Sequence, residues 1–216
     1  MSDQLLVDSE KIYGFYDQYV KEHGISAGWG TIEDANNSYK EASSCSYQKW
    51  SEFESVIDVG SGQGHLIKFL QEERGFQGSY TGIEILDFFH NQAVELYGEM
   101  SNTNFILDEF LSHDFGENKF DWVVSLGSFS VKHPQQKESD LAFSRKMISL
   151  ANYGVSIFLN DVKYMRPGRA EEVPDLAFHD IDDFCSMLDD NFSISKVEVK
   201  HYPDEKSQPT MIHVIL

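Results

Sequence analysis

Apolar and polar positions along this chain follow two different rhythms. Between residues 5 and 20 the apolar side chains Leu6, Ile12, Tyr13, Tyr16, Tyr19 and Val20 recur near the helical period and predict an amphipathic helix. A passage rich in turn formers follows, from Gly24 through Gly30 to Asn37, and a second helix is predicted over residues 39–50. From Ser55 the rhythm changes. Ser55-Val-Ile-Asp-Val59 is a short β-branched run, the pattern of a strand buried on both faces. Helical spacing then covers residues 64–74, with Leu66, Ile67, Phe69 and Leu70 turned inward. The alternation repeats, predicting strands at 79–83, 104–107, 120–125 and 155–159 and helices at 86–97, 136–152 and 181–188. Two last segments, 193–199 and 210–216, alternate and predict a closing strand pair around a turn at Pro203-Asp-Glu-Lys.

Strands that alternate with helices pack as a mostly parallel sheet covered on both faces. The prediction is therefore an α/β protein with a doubly wound, mostly parallel, seven-stranded sheet. An N-terminal helical attachment, residues 1–52, precedes the main domain, residues 53–216. The chain has 216 residues, with 41 % hydrophobic and 25 % charged, which is ordinary for a folded domain.

Charge changes the picture more than size does. A formal net charge of −19 repels phosphate backbones, and the lysines and arginines are spread thinly from Lys11 to Lys206. Nucleic acid and anionic membranes are disfavoured as partners; a neutral or cationic small molecule, or a basic peptide, is expected. No apolar run approaches the roughly 20 residues that span a bilayer. The first residues lack a basic region ahead of an apolar stretch, so a cytoplasmic location is expected. Cys45 and Cys185 stand far apart and in no ligand pattern, which predicts two reduced thiols and no metal site.

The chemistry begins at Ile57-Asp-Val-Gly-Ser-Gly-Gln-Gly64, a glycine loop between a strand and a helix. Ligands of doubly wound sheets bind beyond the carboxyl ends of the strands, where this loop lies. Dinucleotide sites favour G-x-G-x-x-G with the pyrophosphate at the helix N-terminus. Here the third glycine comes one residue early, and Asp58 at the strand end repels a diphosphate. An ammonium and a sulfonium suit that carboxylate better. A second acid, Glu84, ends the next strand, twenty residues beyond Gly64, where a carboxylate accepts hydrogen bonds from ribose hydroxyls. A third, Asp108, follows the 104–107 strand, placed to meet an adenine amino group.

Together these segments resemble the class I, Rossmann-like S-adenosylmethionine-dependent methyltransferases. D-x-G-x-G-x-G at residues 58–64 is similar to that family's first motif, Glu84 to its ribose-binding acid and Asp108 to its adenine-binding acid. Phe120-Asp-Trp-Val-Val-Ser-Leu-Gly127 resembles its fourth motif. The resemblance implies S-adenosyl-L-methionine as cofactor and S-adenosyl-L-homocysteine as product. It implies a cofactor site built from Asp58, Gly60, Ser61, Gly62, Gly64, Glu84, Ile85, Asp108, Glu109, Ser125 and Leu126, with Trp29 lining the methionine end.

Methyl transfer from a sulfonium is an in-line displacement, so the protein mainly aligns the acceptor and takes a proton where one must leave. The candidates for base or positioning group are His133, Asn160 and Asp161, with Lys132 and His179 nearby in the same loops. The aromatic cluster Tyr13, Phe15, Tyr16 and Tyr19 reads first as a helix face, and over a site it can receive a cationic acceptor. The function expected is methyl transfer to a small-molecule or peptide acceptor, with the N-terminal helices as a lid. The competing readings are a catalytically silent cofactor-binding scaffold or partner subunit, and a nicotinamide-dependent oxidoreductase that the glycine spacing disfavours.

Overall fold

The computed structural model describes residues 7–23, 31–202 and 209–216. Trp29, Leu6 and the turn at Pro203-Asp-Glu-Lys lie outside the described residues.

Seven strands form one sheet in the order β3-β2-β1-β4-β5-β7-β6. They are β1 (Ser55–Val59), β2 (Ser79–Glu84), β3 (Thr103–Leu107), β4 (Phe120–Ser125), β5 (Ala151–Asn160), β6 (Lys196–His201) and β7 (Pro209–Ile215). The first five are parallel, and β7 runs antiparallel between β5 and β6. The main helices are α1 (Ser9–His23), α2 (Ile32–Ala42), α3 (His65–Arg74), α4 (Asp87–Tyr97), α5 (Gln136–Leu150) and α7 (Ile181–Asn191), with a single turn α6 (Arg169–Glu172) before the last. Parallel neighbours need crossovers, and α3, α4 and α5 supply them.

The period-two alternation of β1 divides the core. Ile57 and Val59 face a layer with α5 and α7, built around Phe143, Met147, Phe184 and Leu188. Val56 faces the opposite layer, with Leu66, Ile67 and Leu70 of α3 and Tyr39 and Ala42 of α2. In β4 the rhythm slips once, at an irregularity between Phe120 and Trp122, so these two residues belong to different layers.

Several predicted boundaries need correction. The second helix is α2, not residues 39–50. Thr31 caps it early, its Oγ1 accepting from Asp34 N at 3.1 Å, and Glu33 and Asp34 suit the first turn. Its end comes at Ala42, where Ser43 Oγ donates back to Tyr39 O (2.7 Å) and Ser44 Oγ to Glu41 O (2.8 Å). The apolar pattern beyond, including Trp50 and Phe53, is buried from turns rather than from a helix. Helix α5 stops at Leu150 because Ala151 already pairs with Phe120, so β5 begins four residues before the predicted 155. Strand β6 starts at Lys196 instead of 193, its register set by pairing with β7.

Helix α1 lies over the carboxyl ends of the strands. Tyr13 meets Phe88 and Tyr16 meets Phe89 edge to face, each at 5.8 Å. Lys11 Nζ donates to Lys132 O at 2.7 Å and pairs with Asp175 at 3.1 Å. The extended segment 175–179 ties the ends of β4 and β5 together: Ala177 N donates to Ser130 O and His179 N to Asn160 O, both at 2.8 Å. Among the described residues no helix is long and apolar enough to cross a membrane.

Candidate active site

Strand β1 ends inside the sheet, and the chain must reverse into α3 within five residues. Gly60 and Gly64 take φ of 72° and 73°, a region costly for any residue with a Cβ. A Cβ on Gly64 would also stand 2.8 Å from the Phe105 ring. The loop is held from β2: Gly60 N and Ser61 N donate to Ile83 O at 2.9 and 3.1 Å. Gly62 N donates to Glu84 Oε2 at 2.8 Å, and Leu86 N to Glu84 Oε1 at 2.9 Å. Glu84 is thus fixed by backbone donors on both oxygens, with acceptor capacity left over. Burial raises its pKa, opposed by the N–H groups of Leu86, Gly62 and Ile85.

Asp58 sits beside it, buried at the end of β1. Tyr80 Oη donates to its Oδ2 at 2.6 Å, and its Oδ1 is buried with no partner. Desolvation pushes this carboxyl up to about 7; the Tyr80 hydrogen bond opposes the rise and the Glu84 charge adds to it. A buried acceptor left unpaired costs stability unless something binds it.

These groups line a cleft under α1. Of the residues expected at the cofactor, the cleft brings together Asp58, Gly60, Ser61, Gly62, Glu84, Ile85, Asp108, Glu109 and Leu126. Gly64 lies outside the lining, against Phe105 and Ala93, and Ser125 is fully buried with its hydroxyl unpartnered. Asp108 stands half-exposed at the cleft, its oxygens met by Glu109 N (2.8 Å) and His113 Nδ1 (2.7 Å). The His113 hydrogen bond holds its carboxyl below the usual range.

The acid–base candidates are scattered by comparison. His133 and Lys132 line a side lobe that shares Val7, Ile12, Ser128, Val131 and Phe143 with the main cleft. Asn160 and Asp161 are buried away from both: Asn160 Nδ2 donates to Ala177 O (3.2 Å), and Asp161 Oδ1 caps a 3₁₀ turn by accepting from Lys163 N (2.8 Å). His179 is buried beside Asp140, with Nε2 3.4 Å from Oδ1.

Sequence reading missed Tyr39, Gln63, His65 and Ser128 as lining residues, and placed Tyr16 on a helix face. Tyr16 closes the cleft from α1, its hydroxyl pushed up by burial and then by Glu84. His65 follows the glycine loop directly, with its Nδ1 2.7 Å from Tyr97 Oη; position alone could have suggested it.

The cleft fits S-adenosylmethionine on its own terms. The unpartnered Asp58 oxygen asks for a cationic or N–H donor, Glu84 retains acceptor capacity, and the glycine loop admits close approach. No phosphate-binding cation lines this part of the cleft among the described residues.

Comparison with known proteins points in the same direction over part of the chain. The model of the family described as "Methyltransferase domain" matches residues 56–152. Among proteins with curated descriptions, none matches this sequence. Solved structures share the fold at low identity. Magnesium protoporphyrin IX methyltransferase from Synechocystis PCC 6803, solved with bound S-adenosylhomocysteine, is 14 % identical with a TM-score of 0.70, covering 96 % of this chain and 99 % of its own. The plantazolicin methyltransferase BpumL, solved with a pentazolic desmethylPZN analog and S-adenosylhomocysteine, is 11 % identical with a TM-score of 0.63, covering 94 % and 90 %. A putative sarcosine dimethylglycine methyltransferase from Galdieria sulphuraria is 12 % identical with a TM-score of 0.60, covering 96 % and 98 %.

Proposed function

We propose that the protein is a class I, S-adenosylmethionine-dependent methyltransferase, as the match of residues 56–152 to the methyltransferase-domain model and the shared fold support, and that it methylates a small-molecule or peptide acceptor seated under α1. The observation that carries the site assignment is the buried Asp58–Glu84 pair at the floor of the cleft, with one Asp58 oxygen unpaired. S-Adenosylmethionine, when bound, supplies an activated methyl on a sulfonium.

The chain's own residues then have defined tasks. Asp58 accepts from the amino acid end of the cofactor, and Glu84 accepts from the ribose hydroxyls while Gly62 N and Leu86 N keep it in place. Asp108 meets the adenine edge, oriented by His113 and by its neighbour's N–H. Tyr16 and Phe89 cover the cleft and keep water from it, which strengthens each of these contacts. Alignment of the acceptor supplies most of the acceleration that the protein can add to an in-line displacement.

Small acceptors and peptides are supported by the acidic surface, which repels nucleic acid. The test is calorimetric titration with S-adenosylhomocysteine, with NAD as the parallel control. The expected result is micromolar binding of the former and none of the latter. Saturation at a hundredfold excess over Kd should add about 2.7 kcal/mol to stability. Binding of NAD alone, or of neither, removes the assignment.

A further inference from the structure

The side lobe beneath the N-terminal end of α1 differs in chemistry from the main cleft. The main cleft presents four carboxylates, Asp58, Glu84, Asp108 and Glu109. The lobe presents apolar side chains from Val7, Ile12, Val131 and Phe143, and with them the adjacent pair Lys132 and His133.

His133 is held as a hydrogen-bond donor. Gln135 N donates to its Nδ1 at 3.0 Å, so the ring proton sits on Nε2, the one remaining polar atom of the ring. Its backbone is fixed as well: His133 N donates to Gln136 Oε1 at 2.8 Å, and Gln136 Nε2 donates to the buried Asp140 Oδ1 at 2.9 Å. Asp140 is in turn backed by His179. A histidine whose Nδ1 is already occupied cannot serve as a base through Nε2 in this state, but it can donate to an acceptor atom.

Lys132 makes no ion pair among the described residues, although its backbone is tied on both sides, by Lys11 Nζ to its carbonyl and by its own N–H to Asp175 O. The nearby cation Lys11 is already neutralised by Asp175. Asp8, the lobe's one carboxylate, caps α1 by accepting from Lys11 N at 3.0 Å. In a chain of net charge −19, the charges lining this lobe, Lys132 and Asp8, balance, and Lys132 and the fixed imidazole N–H of His133 stand side by side on it.

We propose that this lobe is the anchoring subsite of the methyl acceptor and that it takes the carboxylate of a small, mainly apolar acid. Lys132 and His133 Nε2–H hold the carboxylate by charge-assisted hydrogen bonds, Phe143 and Val131 cover the apolar body, and the atom to be methylated points back into the main cleft past Ser128. The carboxylate is an anchor and is not itself methylated. This inference rests on the reading that the main cleft holds S-adenosylmethionine.

The experiment uses the full chain saturated with S-adenosylhomocysteine and three probes of one shape: 4-phenylbutyrate, 4-phenylbutan-1-ol and 4-phenylbutylamine. Binding is followed by saturation-transfer NMR and calorimetry. The acid is expected to bind at least about tenfold more tightly than the alcohol, and the amine more weakly than either. Lys132→Met and His133→Phe should each erase most of that preference while leaving affinity for S-adenosylhomocysteine unchanged. Because His133→Phe loses the contact with Gln135 N, His133→Asn is the companion variant, its side-chain oxygen being able to accept that N–H. Equal binding of acid and alcohol, preference for the amine, undetectable binding of the acid at millimolar concentration, or a preference that survives both substitutions overturns the subsite. Failure of S-adenosylhomocysteine to bind the unmodified protein instead overturns the cofactor reading beneath it.

Discussion

Asp58 and Glu84 share one buried corner, and Asp58 feels the Glu84 charge. Asp58 has a folded pKa of about 7, above its unfolded value, so the folded chain holds a proton that the unfolded chain gives up. Its contribution to stability is therefore complete below about pH 4 and is lost as pH climbs toward 7. A bound ammonium reverses the preference by favouring the ionised carboxyl. Affinity for S-adenosylhomocysteine should then rise with pH between about 5 and 7, by at most tenfold per unit, and level off above. Titrations at pH 6 in two buffers of different ionisation enthalpy should register the release of nearly one proton. In Asp58→Asn the slope should flatten, and an unchanged slope would mean that the carboxyl faces no cation. Glu84→Ala should weaken binding by about 1–3 kcal/mol, the scale of lost hydrogen bonds to a charged group, and a calorimetric Kd equal to the parent's would remove the ribose assignment. These acids were legible in the sequence because a strand end followed by a glycine loop fixes where its side chains point. Tyr16, Tyr39 and Ser128 were not, since they reach the cleft from separate segments and only tertiary packing joins them.

Helices and strands differed in legibility for a related reason. β1 and β4 are continuous buried runs, so both ends of each could be read from the sequence. The start of α2 depends on Thr31 and two acids rather than on any apolar period, and Asn36 and Asn37 masked it with turn chemistry. The attachments of helix α1 include two aromatic edges and the Lys11 clamp to Asp175 and Lys132 O. Half-exposed ion pairs of this kind contribute under about 1 kcal/mol, so Lys11→Met should loosen α1 without unfolding the domain. The expected readout is a two- to fivefold faster release of S-adenosylhomocysteine in stopped-flow fluorescence, with association nearly unchanged, about what such an energy allows. A release rate equal to the parent's would show that α1 does not gate the cleft.

At the scale of the whole molecule, a polar knot joins α2 to the sheet. Ser156 Oγ lies 2.8 Å from His213 Nδ1 and from Trp122 Nε1, and 2.9 Å from Ala42 O. Burial, and after it the Lys200 charge, lower the His213 pKa to about 4, against an opposing effect of Glu198. A depressed histidine means that the unfolded chain takes up a proton the folded one declines. Stability from this group is thus intact above about pH 6.5 and falls by roughly 3 kcal/mol as pH drops toward 4. Asp58 has the opposite sign over much of that window, so the parent's curve alone mixes the two. Urea unfolding of the parent and of His213→Gln at pH 7 and pH 4.5 separates them: the gap between the two proteins should narrow at the lower pH. A constant gap would mean that the imidazole does not titrate as a buried group.

The placement of β7 between β5 and β6 also sets an order of assembly during synthesis. β6 leaves the ribosome before β7, yet every strand hydrogen bond it makes is to β7. For the roughly one to four seconds that translation needs to cover residues 196–215, β6 is an unpaired edge, and β5 has one open side. Lys196, Glu198 and Lys200 alternate along β6 and guard it against foreign strands during that wait. The half of the sheet that carries the glycine loop, β1 to β4, is complete by then, so a nascent chain can hold a formed cofactor cleft before its last strand has been made.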